Sequence, residues 1–277
     1  MKLKTFIKWS GNKSRHLRHI IPYIPDDYNT YYEPFIGSGA LFLKLQPKKW
    51  VINDVNKDLI NVWENVKNNT EIIIYLFEKF GKEFKPMSKQ KKIEYCRNIT
   101  ETIDKMPYNI TRATIFMLMK FCVYMGNIII KNKFYFMGLD LHISIQNRCF
   151  FLEKNNYNNL NKVAEYLNSS NGLILNKDYK EVLNKVKKDD FVFLDPPYVE
   201  DHDYGFNYNS GEKLDNKFIM ELYKEVKKLD KKKVKWMMTQ AETKEIKNIF
   251  KDYNIKKFQV YRPVNKSYVN ELIIMNY

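Results

Sequence analysis

Thr30-Tyr31-Tyr32-Glu33-Pro34-Phe35-Ile36-Gly37-Ser38-Gly39-Ala40 is the stretch on which the fold turns. Its first six residues read as a short strand, because aromatic side chains suit a pleated, half-buried surface. Two glycines then allow a tight turn and a close backbone approach, since a residue without Cβ reaches φ values closed to others. A helix is predicted over Ala40–Leu45. Trp50-Val51-Ile52-Asn53 predicts a second strand ending at Asp54, and a further helix is predicted over 57–67. Strand, glycine turn, helix, strand and acid form half of a doubly wound α/β sheet.

Upstream, Leu17, Ile20 and Ile21 share one helical face over 14–23, with Pro22 and Pro25 ending the run. Downstream, 68–150 breaks the alternation. Helical spacing covers 72–80, 89–99 and 111–125. Ile128-Ile129-Ile130-Lys131-Asn132-Lys133-Phe134-Tyr135-Phe136 reads as a hairpin with a Lys-Asn-Lys tip. The α/β rhythm returns near 160. Leu173-Ile174-Leu175 and Phe191-Val192-Phe193-Leu194 are strands, the second apolar at every position, as both-face burial requires. Helices are predicted over 160–167, 179–186, 216–229 and 243–250, and strands over 234–239, 255–261 and 271–276. A polar loop is predicted over 199–213. The expected organisation is one α/β domain made of 1–65 and 161–277, interrupted by an inserted, mostly helical unit over 66–160.

Composition bounds the partners. The 277 residues carry 44% hydrophobic and 15% aromatic side chains, enough for a sizeable core. Lys and Arg outnumber Asp and Glu by 47 to 32, a net charge of +15 that favours a polyanion such as nucleic acid. Cys96, Cys122 and Cys149 form no CxxC pair, and His16, His19, His142 and His202 are scattered, so neither a disulfide framework nor a metal site is expected. No long apolar run opens the chain or reaches the length of a membrane span. The expectation is a soluble, cytoplasmic protein, monomeric or weakly dimeric, with no membrane contact.

Asp195-Pro196-Pro197-Tyr198 follows the buried strand, so it lies where open α/β sheets bind ligands. Its chemistry suits methylation of an exocyclic amine. The lone pair of such an amine is delocalised into its ring, and two acceptors on its two N–H groups would localise it. Asp195 offers a carboxylate and Pro196 a carbonyl, held rigidly because proline fixes φ. Pre-aimed acceptors need little reorganisation at the transition state. Tyr198 offers a face on which an extruded base could stack.

Glu33, Phe35, Gly37 and Gly39 mark the glycine turn as a ligand loop. A dinucleotide fingerprint lacks its third glycine here, because Phe42 stands in its place, and no P-loop Gly-Lys-Ser/Thr follows. An acidic lead residue instead suits a cation such as the sulfonium of S-adenosylmethionine. Asp54 could accept hydrogen bonds from ribose hydroxyls, or merely cap a helix. In Lys8-Trp9-Ser10-Gly11-Asn12-Lys13, Trp9 could pack on a cofactor and Lys13 could pair with its carboxylate.

With these four elements in this order, the chain resembles the Dam-type N6-adenine DNA methyltransferases. Residues 8–13 look like the family's Lys-Trp-Ala-Gly-Gly-Lys segment, with Ser10 and Asn12 in place of small residues. Residues 33–43 resemble its cofactor loop, Asn53-Asp54-Val55-Asn56 its acidic motif, and Asp178-Tyr179 the acid-aromatic pair near the cofactor adenine. The segments Trp236-Met237-Met238-Thr239 and 271–277 resemble its terminal strands. The resemblance implies a Rossmann-like sheet that uses S-adenosyl-L-methionine. It implies that Trp9, Lys13, Asp54 and Asp195 contact this cofactor, and that Asp195, Pro196 and Tyr198 hold a flipped adenine of double-stranded DNA. Its motif order places target recognition in 66–160. On the charge of their lysines, Lys8 near the N-terminus and the hairpin tip Lys131, Asn132 and Lys133 are expected as DNA contacts. Relatives often carry an Arg/Asn-rich hairpin there, so the family's frequent GATC target is not carried over. Adenine in RNA and a DNA-binding relative without catalysis are the alternatives. A protein-amide methylase would carry Asn-Pro-Pro-Tyr, and Asp195 speaks against it.

Overall fold

A computed structural model describes residues 2–122, 128–130, 134–136, 154–198, 216–262 and 267–277. In chain order the helices are α1 (Leu17–Ile20), α2 (Ala40–Leu45), α3 (Lys57–Asn68), α4 (Thr70–Phe84), α5 (Lys89–Ile103), α6 (Ile110–Cys122), α7 (Lys154–Ser169), α8 (Tyr179–Asn184), α9 (Asn216–Lys231) and α10 (Lys244–Ile249). The strands are β1 (Tyr31–Glu33), β2 (Lys49–Asn53), β3 (Ile128–Ile130), β4 (Phe134–Phe136), β5 (Asn171–Leu175), β6 (Phe191–Leu194), β7 (Lys235–Ala241), β8 (Asn254–Arg262) and β9 (Ser267–Met275).

Seven strands form one sheet in the order β5-β2-β1-β6-β7-β9-β8. The first five are parallel, and β9 runs antiparallel to both β7 and β8. The chain leaves β1 toward β2 on one side, whereas β6 lies on the other and continues to β7. The order therefore reverses between β1 and β6. Connections diverge there and leave a crevice at the carboxyl ends of the two strands. The glycine turn follows β1 and the Asp-Pro-Pro-Tyr segment follows β6, so the topology brings the two motifs to one crevice.

Both sheet faces are covered, and strand alternation divides their side chains. Phe191, Phe193, Met237, Ile273 and Met275 join one apolar cluster, with α3, α4, α6 and α7. Val192, Leu194, Trp236, Met238, Leu272 and Ile274 join the other, with α8, α9 and α10. Each fully buried large apolar side chain contributes about 1.5–3 kcal/mol. Side chains start several helices by accepting from otherwise unpaired backbone amides. Asn56 accepts from the Leu59 amide at 2.9 Å, and Thr243 from the Ile246 amide at 3.1 Å.

Helices α3–α7 and the pair β3–β4 stand between β2 and β5 in the chain. Ile73 and Phe77 of α4, Ile93 and Cys96 of α5, and Phe116 and Met117 of α6 belong to the same apolar cluster as the sheet. Strands β3 and β4 pair antiparallel, Ile128 opposite Phe136 and Ile130 opposite Phe134. The tip, Lys131-Asn132-Lys133, and the loop predicted over 199–213 lie outside the described residues. Several boundaries differ from expectation; α7 starts at Lys154 rather than 160 and β9 at Ser267 rather than 271, and two differences have a clear physical cause. The helix predicted over 14–23 is instead a 3-10 turn, the single α-turn α1 and a second 3-10 turn carrying Pro22, which donates no backbone N–H. Helix α4 exceeds its predicted span and includes Gly81, because burial of Phe80, Gly81 and Phe84 outweighs glycine's poor helix propensity.

Candidate active site

The glycine turn is shaped by its neighbours. Gly37 and Gly39 take φ of +47° and +67°. A Cβ on Gly37 would lie 2.9 Å from the Trp9 ring, and one on Gly39 2.6 Å from Trp63. The Trp63 indole N–H donates to the Gly37 carbonyl at 3.2 Å. Gly37 in turn donates its amide to Asp54 Oδ2 at 3.1 Å, and the Asn56 amide donates to Asp54 Oδ1 at 3.0 Å. Loop, Trp9 and Asp54 are thus one hydrogen-bonded and packed unit. Burial pushes the Asp54 carboxyl up to about 6, against the lowering effect of these amides.

Asp195 leads the second half of the cluster. Lys13 Nζ lies 2.7 Å from Asp195 Oδ1, and the Thr239 hydroxyl donates to the same oxygen at 2.6 Å. Lys13 is 6% exposed and Thr239 fully buried. The ammonium also donates to the Gly11 carbonyl at 3.1 Å and stands 4.6 Å from the centroid of the Tyr198 ring. Tyr198 donates its hydroxyl to Glu271 Oε2 at 2.9 Å, and His16 Nδ1 lies 3.4 Å from that oxygen. Burial and the carboxylates of Glu271 and Asp195 hold the Tyr198 hydroxyl well above its usual range, so it remains a donor. Burial alone would raise Glu271, but His16, Lys13 and the tyrosine hydroxyl together hold it below the usual carboxylate range.

Glu33 is enclosed at the end of β1, just before the turn. It is 3% exposed and accepts the Tyr31 hydroxyl at 2.6 Å. Burial pushes its carboxyl well above the usual range, and the nearby charge of Asp195 adds to the rise. The neutral acid is therefore favoured. Phe35 and Tyr179 meet with ring centroids 5.2 Å apart, and Tyr179 meets Phe218 edge-on at 5.9 Å. The Tyr179 hydroxyl is buried with no hydrogen-bond partner among the described residues. Asp178 is exposed and caps α8 through the Lys180 amide at 2.8 Å. Asn12, unusual in its loop, accepts from the Ser14 amide at 2.8 Å and starts the first 3-10 turn.

The structure thus unites Lys13, Asp195 and Tyr198 in one group, Trp9, Gly37 and Asp54 in a second, and Phe35 with Tyr179 in a third. Lys8 lies apart, its Nζ donating to the Phe121 carbonyl at 3.4 Å. Sequence reasoning missed Thr239, Glu271 and His16. A polar residue within an apolar strand beside the β6 end was the available signal for Thr239, and an acid leading Leu272-Ile273-Ile274 for Glu271. Among the described residues no group of three His, Cys, Asp or Glu could hold a metal ion, and no helix is long and apolar enough to cross a membrane.

An open, mostly parallel sheet with the glycine turn and the Asp195–Tyr198 segment following adjacent strands fits a methyltransferase-like α/β fold. The profile of the D12 class N6 adenine-specific DNA methyltransferases matches residues 9–263, and the chain belongs to that family. It is therefore an enzyme that methylates adenine N6 in DNA, and its family uses S-adenosylmethionine as methyl donor. The type II methyltransferase M1.LlaDCHI of Lactococcus lactis subsp. cremoris is 30% identical over 100% of this chain and 96% of its own length. M.MjaIII of Methanocaldococcus jannaschii, also a type II methyltransferase, is 28% identical over 100% of both. A DNA adenine methylase of Haemophilus influenzae is 24% identical over 96% of this chain and 90% of its own length.

Proposed function

We propose that the crevice between β1 and β6 binds S-adenosylmethionine beside an adenine flipped out of double-stranded DNA, and that residues 66–160 select the target. Three features fit this cofactor. Asp54 is an acceptor at a strand end, where ribose hydroxyls can be held. The Phe35–Tyr179 pair offers an apolar wall whose buried hydroxyl a purine nitrogen could satisfy. The Asp195 carboxylate provides negative charge for a cationic centre. Bound there, S-adenosylmethionine supplies an electrophilic methyl carbon on sulfur.

The chain's own residues do the rest. Asp195 and the Pro196 carbonyl accept the two amino hydrogens of the adenine and localise its lone pair. Lys13 and Thr239 converge on Asp195 Oδ1, so the carboxylate is aimed before substrate arrives. Tyr198, tethered by Glu271, stacks on the base. Glu33 accepts the Tyr31 hydroxyl within β1, just before the turn. Lys8, Lys131, Asn132 and Lys133 contact DNA. The enzyme works in the cytoplasm as a monomer or weak dimer.

The observation that carries this reading is the convergence of Lys13, Thr239 and Asp195 at the switch point that also holds the glycine turn. Incubation of the purified protein with methyl-labelled cofactor and DNA tests it. Label on adenine N6, lost when Asp195 is replaced, is expected. Label on cytosine, or full transfer without Asp195, would reject the assignment.

A further inference from the structure

Lys120 belongs to α6, outside the sheet, yet its side chain ends over Trp9, the ring that abuts the glycine turn. It is 2% exposed, one of the largest fully buried side chains in the molecule. Its ammonium stands 4.0 Å from the Trp9 ring centroid and 5.4 Å from that of Phe116. Trp9 in turn abuts Gly37, whose amide donates to Asp54. The contacts run in sequence from α6 through an indole to the backbone of the turn and on to the carboxylate at the end of β2.

Two carboxylates face the ammonium electrostatically: Asp54 from the end of β2 and Asp58 from α3. Asp58 is already engaged by Arg112, also of α6, through contacts of 2.6 and 3.0 Å. The Arg112 guanidinium also donates to the Met106 carbonyl at 2.8 Å and stacks 4.2 Å from the Tyr108 ring. Arg112 therefore clamps the first turn of α6 to α3. Lys120, eight residues on, reaches about 12 Å further along the helix. The Lys120 charge favours the anionic form of Asp54, while burial lowers the ammonium itself to about 7, so the charge is present at and below the Asp54 midpoint near 6. A buried cation that only filled space would cost stability, and an apolar residue of similar length would pack there at lower cost.

We infer that Lys120 is a positioning residue for methyl transfer, setting the Trp9 wall and the Asp54 carboxylate of the cofactor pocket from a helix outside the sheet. This rests on the cofactor reading given above. The ammonium holds the indole face against Gly37, which fixes the width of the turn. It also adds to the Gly37 and Asn56 amides in favouring the carboxylate form of Asp54, the better acceptor for a hydroxyl. Cofactor affinity then depends on how α6 is seated, and α6 leads on toward the β3–β4 hairpin.

Binding of S-adenosylhomocysteine, measured calorimetrically without DNA between pH 5.5 and 8.5, tests the inference on Lys120→Met, Lys120→Arg and Asp54→Asn. Lys120→Met should weaken binding roughly tenfold, the scale of a desolvated cation–π contact with its charge effect. Its binding midpoint should move to higher pH, because Asp54 loses a favourable cation. Lys120→Arg should recover most of the affinity and the wild-type midpoint. If the Met variant does not fold, Lys120→Gln takes its place with the same expectations. A folded neutral variant with wild-type affinity and an unmoved midpoint overturns the inference, as does an Arg variant no better than the neutral one. Asp54→Asn separates the two readings. If it leaves affinity unchanged, the cofactor reading fails and this inference with it. If it weakens binding while the neutral Lys120 variants do not, only the role of Lys120 fails.

Discussion

The Tyr198 hydroxyl reaches Glu271 Oε2 at 2.9 Å across 73 residues of chain, tying the segment after β6 to β9, the antiparallel strand between β7 and β8. A stacking ring contributes most when it is held before the base arrives. Glu271→Ala should lower kcat/KM for DNA roughly tenfold, since losing one buried hydrogen bond costs about 1–3 kcal/mol. Affinity for S-adenosylhomocysteine should stay within twofold. Glu271→Gln keeps an acceptor and should recover much of the loss. A 2-aminopurine at the target position reports the stacking directly. Unchanged fluorescence and unchanged kinetics in the Ala variant would show that the tether is idle.

Removal of Asp195 has two separable consequences. Asp195→Ala should reduce kcat by at least ~10²–10³, the loss expected when a positioned electrostatic group is deleted. It should also lower Tm, because Lys13 is 6% exposed and loses its counter-charge. Adding Lys13→Met should restore much of that Tm and none of the activity. Thermal scans and single-turnover methylation read the two effects independently. Additive losses of Tm in the double variant would contradict the ion pair.

Asp54 titrates in an experimentally accessible range. The folded carboxyl is raised from 3.8 to about 6, so the folded state binds the proton more tightly than the unfolded state does. Between these two values stability falls as pH rises, and above about 6 the cost is constant. Affinity for S-adenosylhomocysteine should do the opposite, weakening as pH drops through about 6, because the neutral acid is a poorer acceptor. Asp54→Asn should flatten both profiles. It should match or exceed the wild-type Tm at pH 7.5 while binding more weakly. A wild-type affinity constant from pH 5 to 8 would argue against any ribose contact here.

Gly39 has no room for a methyl group. Its φ is +67°, and a Cβ would press against the buried Trp63 ring at 2.6 Å. Gly39→Ala should therefore cost about 1–3 kcal/mol of stability from backbone strain and overpacking. Urea denaturation reads it as a lower midpoint with an unchanged slope. A midpoint equal to wild type would mean that the turn relaxes freely.

Lys131 and Lys133 are assigned to phosphate contacts on sequence grounds. Replacing both by Ala should weaken binding to all duplexes alike and reduce the slope of log K against log salt by about 2, one per contact. Electrophoretic shifts at several salt concentrations measure that slope. Loss confined to a single sequence would instead make them base readers.

The sequence alone determined what short-range chemistry controls. The turn at Gly37 and Gly39, the helix over Ala40–Leu45 and the all-apolar β6 were legible because periodicity, glycine and proline act on near neighbours. The four motifs were legible for the same reason, each being contiguous. Only the tertiary structure brought Thr239 to Asp195 and Glu271 to Tyr198, across 44 and 73 residues. It also decided the direction in which buried carboxyl groups shift. Glu33 reads as an anion in the sequence, yet burial beside Tyr31 and near Asp195 favours its neutral form, and no local pattern encodes the dielectric around a side chain. Lys120 looks like one more basic residue among many, until the packing of α6 against α3 drives its ammonium over Trp9. Such assignments depend on which distant surfaces meet, and that is settled by the folded chain as a whole.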